Sequence, residues 1–516
     1  MIQKIKTYTT LWLQWYEIII EADFNRAIPS IEIIWLPDAA IRESKERLRA
    51  TFRHASIELP RQKIILNLSP SDTKKVWTSF DLPMAIAILL LIHEWNVFHQ
   101  DQIPDFLFFW ELGLDWEIKR VNWLLPCVIN AMKHWYKHFF VPADNLFELE
   151  YVPWIIIYPL TKFSEVVEYF LYDKPFHFID EAKNIEDLYQ SQENFFVDFA
   201  QIKWHILPKR ALAIATAGLH NLLMVWAPGS GKTLLSKAMQ SIMPPLGFEE
   251  VLEVSQIYSV VGKLNKDNPL ITTRPFRQIH HTASKISITW WWSNLTPWEV
   301  SLAHKWILFF DELTEFPREV LEVLRQPLED QSVVISRVAG TICYPANFMF
   351  VASMNPCKCG FHKDPDKQCI CSFHDIKKYQ SKISWPLLDR IDMILEIPRE
   401  NIDRILNTAQ WESSENIKAK VINARKIQQI RFADYNIFSN SQITSKHIDQ
   451  LIPLDTPSKD FLKHAAQKLT LSPRVVHRTI KLARTIADME WVEKVEIKHL
   501  AEAMQYRTKT MFIENE

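Results

Sequence analysis

The sequence predicts an α/β protein built round one parallel sheet, with a mixed α/β domain before it and helices after it. Three observations lead there. The stretch Leu222 to Thr233 reads LLMVWAPGSGKT, an apolar run, a loop of small residues and then a helical pattern through Leu234, Leu235, Ala238 and Met239. Between Gln201 and about Pro398, short apolar runs alternate with helical segments, the order expected of parallel strands joined by crossover helices. From Arg399 onward the periodic segments are helical.

Taken in order, residues 1 to about 170 form the mixed domain. Tyr16–Ile20, Ile31–Ile34 and Lys63–Leu68 read as strands. Ala40–Phe52 reads as a helix charged on one face, and Leu82–Glu94 as a buried helix. Phe106–Glu111 reads as a strand leading to a turn near Asp115, and Ile129–Lys137 as a helix. Phe176 to Ala200 is acidic and loses its periodicity after Leu188, which marks a linker. The expected division is therefore 1–170, a linker at 171–200, a phosphate-loop core at 201–398 and a helical lid at 399–516. The lid helices are expected at Ile402–Gln428, Lys446–Leu451, Ser458–Leu469, Arg474–Met489 and Lys498–Gln505.

A length of 516 residues suits about three domains at ~150 residues each. With 48% apolar and 23% charged residues the composition is that of a soluble globular protein. A net charge of −2 leaves no global field toward nucleic acid or membrane, so any such contact must come from local patches. Lys4 and Lys6 are not followed by an apolar core of the kind a secretory leader needs. The longest apolar stretch, Met84 to Ile92, is too short to span a bilayer. A cytoplasmic protein with no membrane partner is expected, and six cysteines there point to metal or core rather than disulfides.

Two counts are unusual. The chain has 20 Trp and 8 Gly, where ordinary usage gives roughly 36 Gly. The tryptophans fall where glycine is natural: in turn contexts at Trp35 and Trp123, in the run Trp290-Trp291-Trp292, and at Trp226. A lineage that decodes UGA as glycine would give this pattern if its gene were read with UGA as tryptophan. The expectation is that many of these positions are glycine in the organism.

The motifs carry the chemistry. In Pro228, Gly229, Ser230 and Gly231, backbone N–H groups can turn onto phosphate oxygens. Lys232 would reach the β/γ-phosphates of ATP, and the Thr233 hydroxyl would hold Mg²⁺. The full pattern needs glycine where Trp226 stands. Trp306–Phe310 is an apolar strand ending in Asp311 and Glu312, about 80 residues after the loop. Asp311 would hold Mg²⁺ through water and Glu312 would activate the attacking water. Phe348–Met354 is a second apolar strand, ending at Asn355, which would hold that water or simply cap the strand. Cys357, Cys359, Cys369 and Cys371 lie within fifteen residues and suit tetrahedral Zn²⁺, with unpaired thiols as the alternative. Cys127 and Cys343, in apolar surroundings, read as core. His280-His281 follow a basic segment and read as structural rather than as metal or DNA ligands.

Segments spread over nearly the whole chain resemble the YifB/ComM family of magnesium-chelatase-like AAA+ ATPases. They include Leu66-Asn67-Leu68-Ser69-Pro70, Phe80-Asp81-Leu82-Pro83, Lys209-Arg210-Ala211-Leu212, Arg274-Pro275-Phe276-Arg277 and Pro386-Leu387-Leu388-Asp389-Arg390. The family has glycine at Trp35, Trp77, Trp110, Trp123, Trp204, Trp226, Trp290 to Trp292, Trp298, Trp306 and Trp385. The resemblance implies an AAA+ P-loop core and a helical lid. It also implies an N-terminal domain related to the Lon protease domain (ribosomal S5 domain 2-like), with Met84 where that protease has its serine, so no proteolysis is expected. It assigns Asn355 to sensor 1, Arg390 to a finger reaching a neighbour's γ-phosphate, and Arg474 to sensor 2. An intrachain Arg–Asp pair is the alternative for Arg390, and a solvated helix charge for Arg474. A finger acting between subunits implies a homo-hexamer. The family also implies a DNA motor of branch-migration type, in recombination or natural transformation. The chain's own bases, such as Lys203, Arg274, Arg277 and Lys285, add little to that, being more readily read as ordinary solvated charge. The alternatives are a chelatase-like protein-remodelling ATPase or, with a genuine Trp226, a nucleotide-insensitive scaffold.

Overall fold

Strands covered on both faces need apolar side chains at nearly every position, and such runs form the inner strands of the five-stranded sheet in the computed structural model. The structure describes residues 2–11, 14–34, 39–69, 80–93, 97–109, 111–112, 117–191, 197–202, 206–226, 232–274, 276–279, 299–305, 307–337, 340–364, 367–397, 412–435, 437–469 and 471–507. The chain divides into two units. One comprises Met1–Gln192, Phe248–Thr272 and Val334–Cys343; the other comprises Glu193–Gly247, Thr273–Val333 and Tyr344–Glu516.

In the first unit, β1 (Gln3–Leu11) and β2 (Gln14–Asn25) form an antiparallel ribbon. β3 (Ser30–Ile34) is followed by α1 (Ala39–His54) and β4 (Lys63–Ser69), giving the sheet order β1-β2-β4-β3. The alternating burial along β4 puts Ile64, Leu66 and Leu68 into the core. α2 (Asp81–Ile92) is buried from Asp81 to Leu91, Met84 included. The buried Asp81 carboxylate accepts from Arg47 Nε at 2.6 Å and Nη2 at 3.3 Å, a bidentate pair that makes this burial tolerable. β5 (Phe106–Phe108), β6 (His138–Pro142) and β7 (Ile156–Leu160) form a small parallel sheet, its face filled by Phe106, Phe140 and Tyr158, and α4 (Phe163–Tyr172) follows β7.

Two expectations in this unit need correction. The helix read at Ile129–Lys137 is α3, Leu124–Met132. It starts after Trp123 at φ 69° and stops in a turn that places Trp135 at φ 72°. Cys343, read as core, is exposed on the strand Gly340–Pro345, while Cys127 is buried.

Trp123, Trp135, Trp154 and Trp491 all have φ between 62° and 72°. That left-handed region is glycine's; a side chain held there costs of order 1 kcal/mol or more. Trp135 and Trp154 are 88% and 81% exposed, so packing does not repay the strain.

In the second unit, α5 (Ile206–Gly218) leads to β8 (Leu222–Trp226), and α6 (Lys232–Ile242) follows the phosphate-loop segment. β9 (Phe276–Ile279), β10 (Ile307–Phe310), β11 (Met349–Met354) and β12 (Met393–Ile397) complete an all-parallel sheet of order β9-β10-β11-β8-β12. The chain leaves β8 for the far edge and returns beside it, so the order reverses at β8. Ligands of open α/β sheets bind outside the carboxyl ends of the strands at such a point.

A helical region follows: α7 (Ser414–Arg431), α8 (Thr456–Lys468), α9 (Pro473–Met489) and α10 (Ile497–Gln505). Ser413, Asp455 and Ser472 cap the first three through their side chains. The buried Asp488 is shared by Arg431 and Arg484, with Asn440 Nδ2 donating at 2.8 Å, which ties α7 to α9. Lys209 and Arg210 anchor α5. Lys209 donates to the Phe199 carbonyl at 2.8 Å, and Arg210 pairs with Glu490 at 2.9 Å and with Glu502 at 2.5 Å. Among the described residues no helix is long and apolar enough to cross a membrane.

Candidate nucleotide site and thiol cluster

Two strands end side by side with polar residues. Phe310 pairs in register with Ala352, so the next residues, Asp311 and Ser353, meet just beyond β10. The Ser353 hydroxyl donates to Asp311 Oδ1 at 2.6 Å, and Glu312 N–H points at the same hydroxyl at 3.4 Å. A lone hydroxyl in an otherwise apolar buried strand needs a partner, and that signal in Phe348–Met354 marks Ser353. Glu312 sits at φ 53°, an unusual conformation for a side-chain-bearing residue, with its carboxylate exposed. Asn355 follows β11, half-buried.

β8 is buried at all five positions, Trp226 included. The loop residues Pro228, Gly229, Ser230 and Gly231 lie outside the described residues. Lys232 and Thr233 open α6, but their side chains lie outside what is described. His280, His281, Lys203 and Lys285 also lie outside the described residues.

Arg390 and Arg474 come together although 84 positions separate their numbers. Arg474 Nη2 donates to Glu329 Oε1 at 3.0 Å, and Arg390 Nη2 grips the other oxygen, Oε2. Arg390 also donates to the Pro386 carbonyl at 2.8 Å. Burial pushes the Glu329 carboxyl up, but Arg390 and then Arg474 hold it below its ordinary value. Asn221, just before β8, secures the neighbourhood: its Nδ2 donates to the Arg390 carbonyl at 3.1 Å and its N–H to Asp392 at 3.0 Å. The buried Asp392 carboxylate lies 3.2 Å from Arg478 of α9. Arg274 and Arg277, weighed as DNA contacts, are engaged within the unit. Arg274 donates to the Pro244 and Lys305 carbonyls at 2.9 and 2.7 Å, and Arg277 Nε pairs with Glu299 at 2.7 Å.

The loop after Asn355 gathers the thiols. Cys357, Cys359, Cys369 and Cys371 bring their sulfurs within 4.8 Å of one another. Measured separations are 3.3 Å for Cys357–Cys359, 3.5 Å for Cys359–Cys369 and 3.7 Å for Cys357–Cys369. Tetrahedral zinc with Zn–S near 2.3 Å needs sulfurs ~3.8 Å apart, so the set fits that ion. Gly360 at φ 82° makes the turn between the two cysteine pairs.

Family models of the magnesium chelatase subunit ChlI match residues 20–145 and 198–405, and that of the ChlI C-terminal region matches 411–507. The competence protein ComM of Haemophilus influenzae is 33% identical over 497 residues, 96% of this chain and 95% of its own. The chain belongs to the ComM/YifB family of magnesium-chelatase-like AAA+ ATPases. YifB of Escherichia coli is 31% identical over 95% of this chain and 94% of its own, and an uncharacterized protein of Mycobacterium tuberculosis is 31% identical over 95% of both. Membership makes the chain an ATP-hydrolysing enzyme of the AAA+ type and implies ATP with Mg²⁺. The residues at the strand ends suit that chemistry.

Proposed function

We propose that this chain is a ring-forming, ATP-driven motor acting on DNA, with its core at 201–398 and its helical lid at 399–516. Asp311 would hold Mg²⁺, which would neutralise charge on the phosphates, while Glu312 would activate the attacking water and Asn355 would orient it. Pro228 to Gly231, Lys232 and Thr233 cradle the phosphates. Arg390 and Arg474 neutralise charge that develops on the transferred phosphoryl group. The observation that carries the ATPase assignment is the polar pair Asp311–Ser353 beside an exposed Glu312, next to the strand where the sheet order reverses. A hexamer follows from the arginine finger role. The DNA substrate draws support from the name of the Haemophilus relative, a competence protein. A Lon-like fold for residues 1–170, joined by a linker at 171–200, belongs to the same reading. Zinc in the four-thiol cluster would brace the strand exit that presents Asn355, two residues before Cys357.

The test is ATP hydrolysis by the chain with glycine at position 226, with single-stranded, duplex and branched DNA, over a range of salt. A DNA motor shows stimulation by DNA and an affinity that falls steeply with salt. ATPase activity indifferent to all DNA would favour a protein-remodelling motor instead.

A further inference from the structure

Two arginines assigned to different nucleotide contacts grip one carboxylate. Arg474 comes from α9 and Arg390 from the segment before β12, and each takes a separate oxygen of Glu329. A carboxylate held this way by two guanidiniums presents two oxygens much as a phosphoryl group would. The charges do not balance. Two guanidiniums face one carboxylate, whereas a terminal phosphate brings about two negative charges.

The pair is not needed for docking α9 against this region. The buried Arg478–Asp392 contact, one turn along the same helix, already does that. Glu329 and Arg474, by contrast, have side chains 46% and 42% exposed. Ion pairs at such exposure add little to stability.

We propose that Glu329 is an intramolecular stand-in for phosphate: it holds Arg390 and Arg474 together on one anion and is displaced when they engage a triphosphate. Glu329 is thus a positioning residue, and it competes with the nucleotide. This rests on the ATPase reading above. In the resting protomer the paired arginines are kept from unrelated anions. On engagement the carboxylate swings into solvent, which its exposure permits.

The experiment compares the full chain with glycine at 226, alone and with E329Q, R390A or R390A/E329Q, by steady-state ATPase and thermal unfolding. E329Q keeps the size of the side chain and removes the competing charge. The expected result is a KM for ATP lowered about two- to fivefold, the range one half-exposed ion pair supplies, with kcat within about twofold. In the R390A background, where only Arg474 remains to be released, E329Q should lower KM by less than it does with Arg390 present. A KM that ignores E329Q, or falls equally without Arg390, overturns the stand-in. So does a lowered unfolding temperature with KM unchanged, which makes Glu329 a structural pair. A protein with no ATPase in any variant overturns the ATPase reading itself, and the stand-in with it.

The backbone carries a second inference independently. We infer that Trp123, Trp135, Trp154 and Trp491 are glycines in the functional protein. All four hold positive φ, and three of them, Trp135, Trp154 and Trp491, are exposed with the indole largely in solvent. Three of the four, Trp135, Trp154 and Trp491, were not among the positions that the family resemblance marked. Mass spectrometry of peptides from the native protein should show glycine at these positions. In the tryptophan-bearing chain, Trp135→Gly, Trp154→Gly and Trp491→Gly should each raise the unfolding temperature by about 2–4 °C. Indoles in the native peptides, or glycine variants that melt lower, overturn the inference.

Discussion

Asp311 and Arg390 both handle charge, yet the fold holds them in opposite ways. Asp311 is placed by sheet register: Phe310 pairs with Ala352, and the residues that follow are forced together, with Ser353 bonding the carboxylate at 2.6 Å. Moving it means breaking a buried parallel sheet. Arg390 and Arg474 are placed by side chains reaching across 61 and 145 positions to a half-exposed Glu329. The Arg474–Glu329 pair, with both side chains nearly half exposed, is worth ~0.2–1 kcal/mol and breaks readily, while Arg390 is 12% exposed and its pair is held more firmly. The rigid end of the sheet suits groups that must meet a reacting water at fixed distance. The arginine cluster suits groups that must let go of one anion and take another.

The largest expected effect tests whether the two regions belong to different active sites. E312Q should lower kcat by about 10²–10⁴ through loss of the general base, and R390A by about 10³ or more through loss of charge stabilisation. Mixing the two inactive proteins is the sharper measurement. If Arg390 serves a neighbour, some interfaces in a mixed ring pair an intact Glu312 with an intact Arg390, and activity returns in part. No recovery in assembled mixtures would place both groups in one protomer's site and remove the contrast.

A smaller effect is expected at the thiol cluster, which extends the rigid region. C371S, or a strong chelator, should release bound zinc and lower the unfolding temperature by about 2–4 °C for each kcal/mol of metal stabilisation lost. Because Cys357 follows Asn355 so closely, ATPase should decline together with the metal content. Full activity in a zinc-free protein would show that the strand exit holds without the metal.

The rigid region was the legible one. β8 and β10 show as unbroken apolar runs and β11 as one interrupted only by Ser353, and a carboxylate at the end of such a run has no structural reason to be there; β9, with Arg277 and Gln278, and β12, with Glu396, are less plain. Glu329 was illegible because nothing in its local sequence, Pro327-Leu328-Glu329-Asp330, distinguishes it from any surface acid; its partners are set by tertiary structure alone. β1 was missed because Lys4, Lys6 and Thr7 break its apolar pattern, though Ile5 and Tyr8 are buried. The misplaced α3 has a different cause. Its boundaries are the positive-φ residues Trp123 and Trp135, where a glycine would have signalled a start and a stop. Arg274 and Arg277 read as free bases because their carbonyl and Glu299 partners are distant in sequence.

A third carboxylate separates rigidity from function, with the smallest effect on turnover. Glu148, in the first unit, is fixed as firmly as Asp311: Asn145 Nδ2 donates to it at 2.5 Å and Ser259 Oγ at 2.7 Å. Unlike Asp311 it is fully buried, and burial pushes its carboxyl up to about 7, against the pull of Ser259, Asn145 and Arg120. A folded-state value above the unfolded one means that protonation favours the fold. The contribution is complete below about pH 4.5 and is lost as pH rises through about 7. Stability of the wild-type first unit should therefore decline between pH 5 and 8, and E148Q, which cannot ionise, should flatten that decline while leaving kcat near its original value. The readout is denaturant unfolding across that range. A wild-type profile already flat would mean that Glu148 stays charged when folded, and that its hydrogen bonds outweigh burial.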